Sequence, residues 1–130
     1  MYMGSSGNVA GFLGLFCVIV HIVEDDVAVA DALAFTLEHL DHRPRIYKDG
    51  ETFLAQANLS ACHWVIVDLG LPGVSGAEIV KKLKSLAIPP KIIAISGKSR
   101  VKILRQMREM QDLTILRKPL SIDMLTSAMI

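Results

Sequence analysis

The chain is poor in the residues that would place it in several large protein classes. It has two cysteines, one tryptophan and 5% aromatic residues, and no lysine or arginine precedes Arg43. Cys17 and Cys62 match neither a disulfide framework nor a zinc-ligand spacing, so reduced thiols in a cytoplasmic setting are expected. The 14 Lys plus Arg and 13 Asp plus Glu leave a formal charge of +1, too little to draw the whole chain onto nucleic acid or anionic lipid. An apolar run from Val9 to Val23 is fifteen residues long, short for a membrane span. It also lacks a positive leader and ends in Glu24-Asp25-Asp26 where a signal peptide would carry small residues. With 130 residues, 52% of them hydrophobic and 21% charged, the chain is neither disordered, collagen-like nor a heptad coiled coil. One compact domain is expected.

The amino-terminal run divides in two. Met1 to Gly14, with its Gly-Ser-Ser-Gly stretch, reads as a leader or cloning remnant, and the domain proper is expected over 15–130. Phe16 to Val23 reads as a buried strand, because a continuous β-branched run bounded by polar residues suits the centre of a parallel sheet. Helical and extended patterns then alternate. Val27 to Leu40 is an amphipathic helix with Leu33, Leu37 and Leu40 on one side, Pro44 to Tyr47 is extended, and Gly50 to Asn58 is helical with Phe53, Leu54 and Ala57 inward. His63 to Val67 is a strand ended by Asp68, and Ser75 caps a helix to about Leu86 with Ala77, Val80, Leu83 and Leu86 on one side. Lys91 to Ile95 and Leu113 to Leu116 are strands around a helix from Ser99 to Met110, and Ser121 opens a last helix that the chain end cuts short, as in an excised domain. Five βα units predict an α/β fold, a flavodoxin-like doubly wound five-stranded parallel sheet in the order 2-1-3-4-5 with helices on both faces.

In such a sheet the functional crevice lies beyond the carboxyl ends of the strands. The pattern places Glu24, Asp25 and Asp26 there after the first strand, Asp68 after the third, Ser96 after the fourth and Lys118 after the fifth. Singly, a strand-end Asp or Ser is usually a helix cap and a lone Lys a solvated charge. Chance would scatter such groups over both rims, however, and here they gather on one. Clustered carboxylates repel one another unless neutralised, and oxygen-only ligands suit a hard ion such as Mg2+. An ion held by two carboxylates completes its shell with water, a carbonyl or phosphate oxygens, which is a phosphoryl-transfer geometry with Lys118 as a second cation. An Asp carboxylate can itself be the nucleophile.

Glu24-Asp25, the segment from Asp68 through Leu71-Pro72 to Gly76, Ser96-Gly97 and Lys118-Pro119 resemble the receiver domain of a two-component response regulator. The intervals agree as well as the letters: 43 residues from Asp25 to Asp68, 28 to Ser96 and 22 to Lys118. The Val20-His-Ile-Val-Glu-Asp-Asp run is most similar to the nitrogen-fixation regulator type, whose receivers usually precede a helix-turn-helix DNA-binding output domain. The resemblance implies a phosphoacceptor, Asp68, charged by a sensor histidine kinase, rather than an enzyme acting on a released substrate. It implies Mg2+ bound by Asp25, Asp68 and the backbone carbonyl of Gly70, with Glu24 acting through water. Asp26 is a further candidate, against its reading as a helix cap. Ser96 and Lys118 would each meet a phosphoryl oxygen, Leu71-Pro72 and Gly76 would shape the loop beneath the phosphate, and the Lys118-Pro119 bond would be cis.

One departure touches the readout: the family usually has Tyr or Phe three residues before the lysine, and this chain has Ile115. A haloacid-dehalogenase type phosphatase would need a second Asp at position 70, which is Gly. Gly70, Gly73 and Gly76 fit neither a dinucleotide fingerprint nor a Walker loop. A receiver-like module that binds partners without phosphorylation is the remaining alternative, and such modules normally lose one of the acids or the lysine. His21 reads as a core or sheet histidine, Trp64 as core, and Met107 and Met110 as filler. Cys17 and Cys62 are placed near one another at the opposite rim. Residues 91–118 carry eight basic and two acidic residues, with Lys98, Lys102 and Arg105 on one stripe of the fourth helix. Within the family that helix and the fifth strand form a surface that changes on phosphorylation, so the stripe is a candidate contact for an acidic partner or a second protomer. Direct nucleic-acid or membrane binding by this domain is not expected.

Overall fold

The computed structural model describes residues 18–110 and 112–129. The expected readings of residues 1–14, Phe16, Cys17 and the Met107 side chain lie outside the described residues. Strands β1 (Ile19–Val23), β2 (Arg43–Tyr47), β3 (Trp64–Asp68), β4 (Lys91–Ser96) and β5 (Thr114–Arg117) alternate with helices α1 (Val27–His39), α2 (Gly50–Gln56), α3 (Gly76–Lys84), α4 (Arg100–Glu109) and α5 (Ile122–Ala128). All strand pairs are parallel, in the order β2-β1-β3-β4-β5. The chain is therefore a doubly wound α/β domain whose order reverses between β1 and β3, the place where a crevice opens.

Period-two alternation along the strands sends side chains to two separate apolar layers. Val23, Val65, Val67 and Ala94 face α2, α3 and α4, where Phe53, Ile79, Leu83 and Ile103 meet them. Val20, Ile22, Ile66, Ile93 and Ile95 face α1 and α5 through Leu33, Leu37 and Leu125. Trp64 joins the second layer, with Lys91 Nζ 5.3 Å from its ring centroid. The three central strands are thus covered on both faces, which is why they read as unbroken apolar runs.

Helix α3 departs from the expected face. Its buried residues are Gly76, Ile79, Val80 and Leu83, spaced i, i+3, i+4, i+7, whereas Ala77 is exposed and Leu86, beyond the helix end, is 44% exposed. A line of residues every three positions drifts around a helix of 3.6 residues per turn, so the strict threefold reading followed the wrong stripe. In α2, Leu54 is 38% exposed while Phe53 is fully buried, because neighbouring residues point about 100° apart around a helix. Local end signals behave as read: Ser75 opens α3 with a reciprocal capping box to Glu78, and Ser121 accepts from Met124 N to start α5.

Candidate functional site

The residues nominated along the sequence converge at the carboxyl rim, each delivered by its strand. Glu24 follows β1 and is 1% exposed, Asp68 closes β3 at 5%, and Ser96 closes β4 at 1%, while Asp25 beside them is exposed. Carboxylate oxygens of Glu24, Asp25 and Asp68 all lie within 4.8 Å of one another. Lys118, one residue past β5, reaches across with its Nζ 2.6 Å from Glu24 Oε1 and 3.2 Å from Asp68 Oδ2. One ammonium group therefore answers two buried carboxylates.

The backbone sets these positions. Glu24 N donates to Tyr47 O at 3.1 Å, Leu69 N to Ile95 O at 2.9 Å, and Lys118 N to Ser96 O at 2.8 Å, so the ladder continues into the rim. Gly70 N donates to Asp68 Oδ1 at 2.9 Å and Asp26 N to Glu24 Oε2 at 3.2 Å. The Lys118-Pro119 peptide is cis. Gly76 packs so close beneath Asp68 that a Cβ there would meet Asp68 O and approach Leu69 Cα to 2.8 Å. Gly73 holds φ +69°, in the left-handed region that other residues rarely adopt.

Two candidates take other partners. Asp26 is the N-cap of α1, its Oδ1 accepting from Ala28 N at 3.0 Å and Val29 N at 3.2 Å, and it is not among the three clustered carboxylates. The cap reading describes its geometry. Ser96 stands on the same rim, one strand from Asp68, and its Oγ accepts from Lys98 N at 3.2 Å. Ile115 is buried in the layer facing α2, α3 and α4.

Electrostatics at the rim follow from burial. Loss of water pushes the Glu24 carboxyl up to about 7, with Lys118 opposing the shift and Asp68 adding to it. Burial alone would lower the Lys118 pKa, but Glu24 and Asp68 outweigh it and the net direction is upward. Glu24 Oε1 is buried and has the Lys118 ammonium, 2.6 Å away, as its ion-pair partner. Three carboxylates, two of them buried, that share one ammonium group are a donor set that fits a hard divalent cation.

Sequence reasoning expected Lys118 to meet a phosphoryl oxygen; its pairing with Glu24 emerged only from the structure. It also treated His21 and Tyr47 separately, although the structure joins them through a hydrogen bond at 2.9 Å. A histidine in the middle of an apolar strand was the signal available for that pair.

This rim and fold are those of a signal-receiving domain, and the comparisons agree. The family model described as response regulator receiver domain matches residues 20–130, and the chain belongs to that family. It is 26% identical to the transcriptional regulatory protein FixJ of Bradyrhizobium diazoefficiens over 108 residues, which are 83% of this chain and 53% of that protein. It is 28% identical to the tetrathionate response regulatory protein TtrR of Salmonella typhimurium over 110 residues, 85% of this chain and 53% of that protein. The chain thus spans about half the length of these relatives. Among solved structures, the amino-terminal domain of FixJ superposes with a TM-score of 0.73 at 28% identity, covering 86% of this chain and 90% of that one. A CheY-like receiver domain from Methylobacillus flagellatus gives 0.72 at 28% identity, covering 87% and 96%. The chain is a receiver domain of the two-component response regulator class.

Proposed function

We propose that Asp68 accepts a phosphoryl group from the phosphohistidine of a sensor kinase and that the resulting acyl phosphate is the signal. The observation that carries this reading is the span of Lys118 between Glu24 and Asp68, with Asp25 completing a cluster of three carboxylates. An Asp68 oxygen forms the new bond to phosphorus as the phosphorus–nitrogen bond breaks, and its electron pair stays on the departing imidazole. Lys118 moves from neutralising the carboxylate to neutralising the added phosphoryl oxygens, and the Ser96 hydroxyl turns to donate to another. Asp25, Asp68 and the Gly70 carbonyl would hold Mg2+, with Glu24 acting through water, and the bound ion would supply positive charge at the transferring oxygens. Asp26 stays with its helix.

A cleft of about 500 Å³ between α1 and the connection from β5 to α5, lined by Val29, Leu33, Pro119 and Leu120, reaches Lys118 and supports approach of the kinase from that side. On the opposite flank Val101 is 67% and Leu104 50% exposed on α4, next to exposed Lys98, Lys102 and Arg105. That mixture supports an acidic partner or a second protomer across α4 and β5. A DNA-binding output belongs to this proposal as a separate unit; FixJ is by name a transcriptional regulatory protein. Among the described residues no helix is long and apolar enough to cross a membrane, and Cys62 is a free exposed thiol, which supports a cytoplasmic setting.

Intact-mass analysis after incubation with acetyl phosphate and Mg2+ tests the reading. One added phosphoryl group is expected on the wild-type chain and none on Asp68→Asn. An unmodified wild type that still binds Mg2+ would instead favour a module acting without phosphorylation.

A further inference from the structure

Two helices on opposite faces of the sheet carry solvent-facing stripes of opposite charge. On α1, the spacing of Val27, Asp31, Phe35 and Glu38 keeps them on one side of the helix, turned from buried Ala30, Leu33 and Leu37. All four are exposed, Val27 to 70% and Phe35 to 63%. On α4, Val101, Leu104, Arg105 and Arg108 follow one another at i, i+3, i+4 and i+7, turned from buried Ile103, with Val101 67% and Leu104 50% exposed. Each stripe thus joins two large apolar side chains to two charges. Among the described residues, none of these four charged groups takes part in an ion pair.

We infer that these stripes bind each other between copies of this chain, the α4 stripe of one protomer seated on the α1 stripe of the next. The inference deepens the reading of α4 as a partner surface and rests on it. Composition points to a cover over α1: nine of its thirteen residues are apolar, while the domain buries only the side that carries Ala30, Leu33 and Leu37. A helix apolar on nearly every side is one that packs on more than one side. Charge then selects the cover. Residues 1–42 hold six acids and no lysine or arginine, and of these Asp25, Asp26, Asp31 and Glu38 are exposed along or just before α1. Such a surface takes a basic partner with apolar side chains of its own, and the α4 stripe, flanked by exposed Lys98 and Lys102, is of that kind.

Symmetry decides how the copies meet. In a two-fold contact the same patch lies on both sides. Pairing α4 with α4 would set Arg105 and Arg108 against their own counterparts, and pairing α1 with α1 would do the same with Asp31 and Glu38. Like charges brought face to face oppose association. Joining α1 to α4 instead sets acid against base and apolar against apolar. Because the two stripes lie on opposite faces of one sheet, a pair of protomers makes one such contact and leaves one stripe free on each, so the contact is head-to-tail and propagates into chains of copies.

Analytical ultracentrifugation of the full, unphosphorylated chain at rising concentration in about 10 mM salt, where screening is weak, tests this. The wild-type mass is expected to rise past that of two chains and to fall back to one chain in about 1 M salt. Two charge-reversed variants separate the faces: Asp31→Lys with Glu38→Lys on α1, and Arg105→Glu with Arg108→Glu on α4. Each alone should stay at the mass of one chain. Their equimolar mixture should associate again, since each variant then meets a stripe of opposite sign, and that recovery also shows both to be folded. A wild-type mass that stays at one chain would overturn the inference while leaving an unrelated acidic partner for α4. A mass that saturates at two chains, or an α1 variant that associates alone, would replace it with a symmetric contact. An α4 variant that associates like the wild type would remove α4 from the interface, and with it the partner reading of that face. Association that salt does not weaken, or a mixture that stays dissociated, would overturn it as well.

Discussion

The same two strands carry two buried polar groups of opposite character, three to five residues apart. At the rim, Glu24 and Asp68 are buried acids that share one lysine, with a third carboxylate, Asp25, beside them. Deeper in the sheet, His21 is held neutral by burial, and both of its polar contacts are hydrogen bonds of ordinary length. A neutral group can be satisfied by its neighbours, whereas three acids that share one lysine stay short of positive charge until a further cation arrives. Reactivity belongs to the first group because its charge balance is incomplete, whereas the second is already satisfied.

The sharpest way to break that comparison is to remove the shared cation. Lys118→Met should lower the rate of Asp68 phosphorylation by about 100-fold or more, the size expected when one positioned charge is withdrawn from a transferring group. Single-turnover labelling with imaging of the acyl phosphate would measure the loss. A rate within threefold of wild type would mean that Lys118 only balances charge in the resting state.

The two groups should also tilt stability in opposite directions with pH. His21 is lowered from 6.5 to about 4, so its contribution is complete above 6.5 and is lost as pH falls towards 4, because the unfolded chain takes up the proton first. Glu24 is raised from 4.5 to about 7, so the folded state is favoured at low pH and this advantage is lost as pH rises through 4.5 to 7. Each amounts to at most about 3 kcal/mol for shifts of this size. Between 4.5 and 6.5 they oppose, and denaturant titrations of the metal-free wild type should vary little there. Glu24→Gln should expose the acid-side fall due to His21, and His21→Val should expose the decline towards neutrality due to Glu24. Parallel curves for the two variants would refute both assignments.

A smaller effect separates the acids. Asp25→Asn should weaken Mg2+ binding by about tenfold, near 1.4 kcal/mol, with Glu24→Gln costing less because its contact runs through water. Asp26→Asn should cost least, since Asn also caps a helix. A greater loss in Asp26→Asn than in Asp25→Asn, measured by calorimetry, would move the ion to the other side of the run. Smallest of all should be the response of Ile115. This β-branched side chain is stiff at its first torsion and packed in the core, so a beryllofluoride complex should displace the Gly97–Ser99 backbone and α4 while Ile115 keeps its rotamer. A rotamer change with α4 fixed would reverse that account of the switch.

Much of this protein was legible along the chain because the relevant signals are local. Unbroken apolar runs covered on both faces marked β1, β3 and β4, Ser75 and Ser121 marked helix starts, and a parallel sheet sends every strand's carboxyl end to one rim, so acids, hydroxyl and lysine could be placed together before any distance was known. The buried face of α3 was misread because a single helix does not reveal which of two adjacent stripes its sheet will cover. Asp26 and Asp25 are equivalent as letters, and the turn into α1 decided which one caps and which one joins the carboxylates. The reach of Lys118 to Glu24, and the line from His63 through His21 to Tyr47, join residues 26 to 94 positions apart. Composition and periodicity act over a few residues and therefore determined the elements and their order. Contacts of about 3 Å between distant side chains depend on strand register and on which face each side chain takes, and those only the packed sheet decided.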